Sequence, residues 1–285
     1  MTQANPARNH DLQQLAREIR YDLVSVSHHT KTPHLASCLS AVDIMTVLYW
    51  KFMNLSPTEP HALNRDRFLL SKGHAASVLY TVLAHYGFYD RDELFEHGKT
   101  GSVFEEHPGV HAPDGVETVS GSLGHNLGIA LGMAKGAKLR NQSQTYYVLM
   151  GDGEMNEGSV WEAAMLAPAQ KLDNLVAIVD CNKWQGTGRS QDITALEPLD
   201  EKWRSFGWKV HRVNGHDHDA LSRALTRAQQ SAEQQSGKPT AIIADTVKGK
   251  GVSFMEDDNN WHYRIPTLEE VMTAAEELGV EHIER

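Results

Sequence analysis

Gly151-Asp152-Gly153-Glu154-Met155-Asn156-Glu157-Gly158, followed by Asp180-Cys181-Asn182-Lys183-Trp184, is the stretch whose reading decides the fold. The residues before it, 145–150, run Thr-Tyr-Tyr-Val-Leu-Met and stop at a glycine. A β-branched, aromatic and apolar run of that length reads as a buried parallel strand. Trp161, Ala164, Met165 and Leu172 then recur at helical spacing, and Leu175 to Val179 forms a second apolar run. Strand, turn, helix and strand make a βαβ unit. Its loop residues Asp152 and Asn182 emerge on one edge, at the carboxyl ends where open α/β sheets place ligands.

A carboxylate and an amide oxygen on neighbouring strand ends suit a small hard cation. Magnesium takes few protein ligands and leaves coordination positions for phosphate oxygens, and calcium or manganese use similar oxygen donors. Glycines 151, 153 and 158 let backbone N–H groups approach an anion, and the start of the following helix adds a favourable dipole. A lone Gly-Asp-Gly reads equally well as a tight surface turn. Asn182, 30 residues after Asp152 and closing a second strand, favours a diphosphate held through a metal.

Composition narrows the field further. The 285 residues carry 37 acidic and 27 dispersed basic side chains, a formal charge of −10, which argues against a nucleic-acid partner. The longest uninterrupted aliphatic run is five residues, 175–179, against the roughly 20 of a membrane helix, so no span is expected. Residues 1–11 are polar and lack the apolar core of a signal peptide, so cytoplasmic residence is expected. Two cysteines, Cys38 and Cys181, cannot form a disulfide framework and read as buried thiols.

Leu12, Leu15, Ile19, Leu23 and Val26 mark an amphipathic first helix, and Ser40 with Asp43 suggests a capping box for a second running to about Phe52. Between them His34 sits at a loop tip. Residues 67–70 predict a strand entering Ser71-Lys72-Gly73-His74, then a helix over 75–86. Residues 96–118 show no period, and a loop of that length is usually functional or disordered. Gly121-Ser122-Leu123-Gly124 opens a helix carrying Gly128, Ala130, Gly132, Ala134, Gly136 and Ala137, whose small residues suggest tight packing. Pro168 should shorten or kink the helix after Glu157. A short helix over 199–206, strands over 209–213 and within 239–247, a helix over 219–230 and a terminal helix capped by Thr267 and Glu270 complete the reading. One doubly wound parallel sheet, a single domain over residues 1–285, uses up the chain.

Gly-Asp-Gly, about thirty residues and then Asn resembles the thiamine diphosphate binding pattern, and the flanking motifs resemble the amino-terminal, diphosphate-binding part of transketolase along nearly the whole length. The resemblance implies the fold of that part, the pyrophosphate-binding (PP) type. It implies that Asp152, Asn182 and the backbone carbonyl of Trp184 ligate the metal. His74, Gly121, Ser122, Leu123, Asp152, Gly153, Glu154, Asn182 and His262 would contact the cofactor. His34, His107 and His262 would be catalytic, since each half of a ketol transfer moves a proton near neutral pH, which imidazole does well. The activity implied is transfer of a two-carbon unit from a ketose to an aldose, either of them a sugar phosphate. The family usually has Gly-His-Pro-Gly where this chain has Pro33-His34-Leu35-Ala36, Leu-Gly-Gln-Gly where it has Leu123-Gly124-His125-Asn126, and glycine where it has Tyr263. These departures lie at the substrate mouth, and the substrate need not be an ordinary pentose phosphate.

The family's activating glutamate comes from a pyrimidine-binding domain, for which this chain has no second βαβ series. The resemblance therefore implies a carboxy-terminal partner subunit that supplies it, in a two-plus-two heterotetramer, and Glu157 resembles a family interface glutamate. The α subunit of a 2-oxo acid dehydrogenase first component uses the same Gly-Asp-Gly and Asn arrangement, but lacks support from the segments around His74, His107 and Trp261-His262. A non-catalytic thiamine diphosphate-binding protein is the remaining alternative.

Overall fold

The computed structural model describes residues 11–282; residues 1–10, including most of the polar stretch read above, lie outside them. Five strands form one parallel sheet in the order β1-β2-β3-β5-β4. They are β1 (Arg67–Leu70), β2 (Tyr146–Gly151), β3 (Leu175–Cys181), β4 (Lys209–Asn214) and β5 (Thr240–Asp245). Around them run helices α1 (Leu12–Thr30), α2 (Leu35–Leu39), α3 (Val42–Val47), α4 (Ala76–Tyr86), α5 (His125–Leu139), α6 (Gly158–Ala169), α7 (Ser190–Ile193), α8 (Leu199–Ser205), α9 (His218–Glu233) and α10 (Leu268–Leu278).

The sheet is apolar on both faces because each central strand divides its side chains between two cores with a period of two. Tyr147, Leu149, Val176, Ile178 and Ile242 pack beneath α1, α2, α3, α4, α9 and α10. Tyr146, Val148, Met150, Ala177, Val179 and Ile243 face α5, α6 and α8. Every strand therefore ends on the same edge. Gly151 pairs with Asp180, and Asp152 N donates to Asp180 O at 3.2 Å, which sets the loops of β2 and β3 side by side.

Several expectations change. Ser40 and Asp43 make no capping box: α3 has Ala41 at its amino end with no side-chain cap, and a π-helical turn (Leu48–Phe52) follows it. Ser40 instead donates to Asp180 across the sheet end at 2.6 Å, and Asp43 pairs with Arg20, His216 and His218. Residues 35–52 are long and apolar enough to span a membrane, yet almost all of this stretch is buried core. Residues 121–124 precede α5, which starts at His125 with left-handed Gly124 before it. On α5, Ala130, Ala134 and Ala137 are fully buried, whereas a Cβ at Gly128 or Gly132 would meet nothing within 4 Å, so close packing accounts for the alanines and not for those glycines. Pro168 lies in the last turn of α6, which ends at Ala169; Leu172 is buried beyond it and Met165 faces outward.

Beneath the carboxyl edge lies an ion pair. Lys72 and Asp180, 1% and 0% exposed, are joined Nζ to Oδ2. Lys72 also donates to Ser37 O at 2.6 Å, while Asp180 accepts from Ser40, Thr246 and, at 3.4 Å, Asn182 Nδ2. Burial would raise the Asp180 pKa, but Lys72 and the two hydroxyls outweigh it and hold the carboxyl below its ordinary value. Removing one partner of such a pair strands the other charge. Lys72→Met should therefore destabilise the chain by about 3–5 kcal/mol in urea unfolding, with Lys72→Met/Asp180→Asn recovering part of the loss. A loss under about 1 kcal/mol would contradict this role.

Candidate active site

Asp152 follows β2 and is 1% exposed. Its Oδ2 accepts from Ser190 Oγ at 2.7 Å, while its buried Oδ1 has no partner. Burial is the main cause that raises its pKa to about 6, opposed by Ser190 and reinforced by Asp180. A buried carboxylate with an open lone pair suits a cation, which would stabilise the charged form that burial disfavours. Asn182 is also buried; its Nδ2 lies against Asp180, and its Oδ1 accepts from Trp184 N at 3.1 Å. The carboxylate below takes the amide nitrogen, which turns the oxygen end away from it, with one lone pair committed to Trp184 N. Trp184 begins a tight hairpin closed by Gln185 N to Gly188 O at 2.8 Å, with Arg189 stacked over its ring and paired to Asp257. The residues at this position fit a divalent cation.

The Glu154 carboxylate is engaged within the chain. That group, buried, accepts from Ser71 Oγ, Gly124 N at 2.7 Å and Gly151 N at 3.2 Å. It joins the loops after β1 and β2 to the start of α5. Gly153 is held close to Gln185, where a Cβ would come within 2.9 Å of the side chain.

The four expected histidines converge. His34 precedes α2 in the left-handed region, with φ 68°. Its ring lies 5.3 Å from His74, 6.1 Å from His107 and 4.8 Å from His262, centroid to centroid. His34 N donates to His262 O at 2.8 Å, and Nε2 lies 3.6 Å from the half-exposed Glu106 carboxylate. Gly121 backs onto His107, where a Cβ would stand 3.3 Å from the ring. A Cβ on Gly73, just before His74, would meet Gly121 N and Ser120 Oγ at 2.6 Å, so the β1 loop and the 121–124 turn touch backbone to backbone. Ser122 is exposed and Leu123 half-buried beside them. The long loop over 96–118 is anchored by Glu117, which pairs with Arg65 and Arg67, and by Tyr80 OH donating to Glu105 O at 3.1 Å. Tyr263 is exposed, with its ring 4.7 Å from His262 and 5.5 Å from His34.

Burial is the largest cause that lowers the pKa of His34, His74 and His262. Lys72 adds to it at His74 and Lys248 at His262, which reaches about 3. All three rings are neutral at pH 7. Lys72, Asp180, Lys248 and Ser190 are site residues that the sequence reading overlooked. Lys72 and Asp180 stand at the ends of apolar strands, a placement that fits a surface charge as well as a buried one, and nothing in the sequence marks Lys248 or Ser190. Cys38 and Cys181 are free and buried.

A parallel sheet that presents an acid and an amide on adjacent strand ends, beside four histidines, defines an α/β domain of the diphosphate-cofactor-binding class. Residues 11–284 match the family described as transketolase, thiamine diphosphate binding domain, and the chain belongs to that family. It is 40% identical over 266 residues to one subunit of the apulose-4-phosphate transketolase of Phocaeicola vulgatus, covering 93% of this chain and 92% of that one. It is 36% identical to the 6-deoxy-6-sulfo-D-fructose transketolase subunit SqwG of Clostridium sp. (strain MSTE9), covering 95% and 97%. Campylobacter jejuni transketolase superposes with a TM-score of 0.88 at 30% identity, over 95% of this chain and 43% of that one. The family match favours transketolase over the 2-oxo acid dehydrogenase α subunit.

The histidine shifts have a stability consequence. His262 has a folded pKa near 3, below the ordinary histidine value of about 6.5. Its neutral ring therefore contributes fully above pH 6.5, and that contribution is lost as pH falls from 6.5 toward 3. In urea unfolding, His262→Gln should gain on the wild-type chain as pH is lowered from 7 to 4.5. A difference that stays flat would contradict the burial of a neutral ring.

Proposed function

We propose that residues 1–285 constitute one thiamine diphosphate-binding domain, the amino-terminal subunit of a magnesium-dependent transketolase that acts only with a carboxy-terminal partner subunit. The observation that carries this reading is the convergence of His34, His74, His107 and His262 at the strand edge that bears Asp152 and Asn182. The Asp152 carboxylate, the Asn182 amide oxygen and the Trp184 carbonyl would hold the cation. His74 and His262, neutral and close to two buried lysines, would donate hydrogen bonds to the cofactor's diphosphate oxygens or to substrate. When bound, thiamine diphosphate supplies the carbon nucleophile that a ketose carbonyl requires and carries the two-carbon unit to an aldose. His34 and His107 would move protons on and off substrate hydroxyls, His34 with the help of the Glu106 carboxylate.

Relatives of about this chain's length that are named as single subunits of a transketolase support a second chain, expected to supply the activating glutamate in a two-plus-two assembly. Two relatives are named for a phosphorylated and a sulfonated ketose, which supports a sugar with an anionic end as substrate. The histidines and Glu106 on this chain suit the sugar's hydroxyls and carbonyl. The anionic end is then a matter for the partner.

Purified with its partner, the chain should pass a two-carbon unit from a ketose phosphate to an aldose phosphate; alone it should be inert, and normal turnover by the single chain would overturn the split. Asp152→Asn should abolish magnesium-dependent heat of thiamine diphosphate binding in calorimetry. The same variant should stabilise the metal-free chain. The folded pKa of Asp152, about 6, exceeds its unfolded value, so ionisation costs stability above pH 6 and that cost disappears as pH falls toward 4. That difference from the ordinary carboxylate value corresponds to about 3 kcal/mol at pH 7. Unchanged cofactor heat in Asp152→Asn would refute the metal assignment.

A further inference from the structure

We propose that Lys248 is a positioning residue that fixes His262 in the tautomer with its proton on Nε2, so that His262 serves the site as a hydrogen-bond donor and not as a proton acceptor. Lys248 follows β5 and is 1% exposed. Its Nζ donates to Asn259 Oδ1 at 2.7 Å and lies 3.1 Å from His262 Nδ1. Asn259 is itself held, with Nδ2 donating to Gly186 O at 3.1 Å. An ammonium group has three protons and no lone pair, so a ring nitrogen that meets it must be the bare one. The single proton of a neutral His262 then sits on Nε2.

The charge states agree with this. Burial, with Lys72 adding to it, lowers the Lys248 pKa to about 8, which leaves the ammonium form dominant at pH 7. The same lysine is the second-largest cause that keeps His262 neutral. The ring is also fixed from the backbone, since His262 O accepts from His34 N. Gly186 lies alongside Nε2, where a Cβ would stand in ordinary contact at 3.5 Å. Ser37 Oγ lies 3.3 Å from Nδ1 and is a second, longer candidate donor.

This inference rests on the reading of His262 as a ligand contact and changes its expected part. A ring that presents only an N–H can grip an anionic or carbonyl oxygen but cannot take a proton from a substrate hydroxyl. Proton movement is left to His34, whose buried Nδ1 has no partner, and to His107.

The experiment is long-range proton–nitrogen spectroscopy of the full chain, without cofactor, labelled with nitrogen-15 in its histidine rings. His262 is assigned by the signal lost in His262→Gln. At pH 7 the wild-type ring should show an unprotonated Nδ1 and a protonated Nε2, with a preference of roughly tenfold or more, the size a charge-assisted hydrogen bond supplies. Lys248→Met should mix or invert the tautomers, and Lys248→Gln, which keeps an N–H donor, should restore the wild-type pattern. A protonated Nδ1 in the wild-type chain would overturn the proposal, and this reading needs no variant to fold. An unchanged pattern in Lys248→Met would overturn it as well and assign the role to Ser37. Thiamine diphosphate binding, measured separately by calorimetry with magnesium and the partner subunit present, tests the cofactor reading: heat without the expected tautomer sinks only the Lys248 proposal, and the tautomer without heat sinks only the cofactor reading.

Discussion

The carboxyl edge of this sheet depends on one buried ion pair, Lys72 with Asp180. Its partners come from segments that are distant in sequence: Ser37 within α2 and Ser40 just after it, Asn182 after β3 and Thr246 after β5. Charges taken out of water are stable only when their remaining hydrogen-bonding capacity is filled, so each of those segments is held to the same point. The pair also governs what lies above it. Asp180 orients the Asn182 amide, and Lys72 adds to the burial that keeps His74 and His262 uncharged.

The site is electrostatically divided. An acid on the β2 loop is pushed toward its protonated form by burial, while imidazoles a short way along the same edge are pushed toward neutrality by burial and by two lysines. A cation relieves the first strain, and an anion is welcome beside the second. A metal-bound diphosphate carries both charges in one ligand. The proposed cofactor thus answers an imbalance that the chain alone leaves in place.

Where local pattern and tertiary structure agree, the sequence was legible. The strands 146–151, 175–181 and 240–245 are buried on both faces and carry apolar runs over 146–150, 175–179 and 241–244, and the loops after the first two carry the acid and amide that the motif requires. The histidines stood out because His34, His74, His107 and His262 lie in loops or at helix starts and match a family's motifs. Tertiary competition hid the rest. Ser40 and Asp43 have the spacing of a helix cap, but a buried aspartate and a buried arginine are stronger partners than a backbone N–H. The Glu154 carboxylate ties Ser71, Gly124 and Gly151 together, a set of partners that no linear pattern announces. Lys72 and Lys248 follow strands and resemble surface lysines, since a linear pattern does not reveal which charged groups a fold will enclose.

The hydrogen bond from His34 N to His262 O joins positions 228 residues apart, and so has a temporal side. Closing so long a loop is entropically disfavoured until intervening contacts have formed, and a chain made from its amino end must hold His34 in wait while α3 through β5 are built. The histidine constellation is thus among the last parts of the protein to be completed during synthesis. A product cut short after β5 and before His262 would have every strand of the sheet and no carbonyl for His34 to meet.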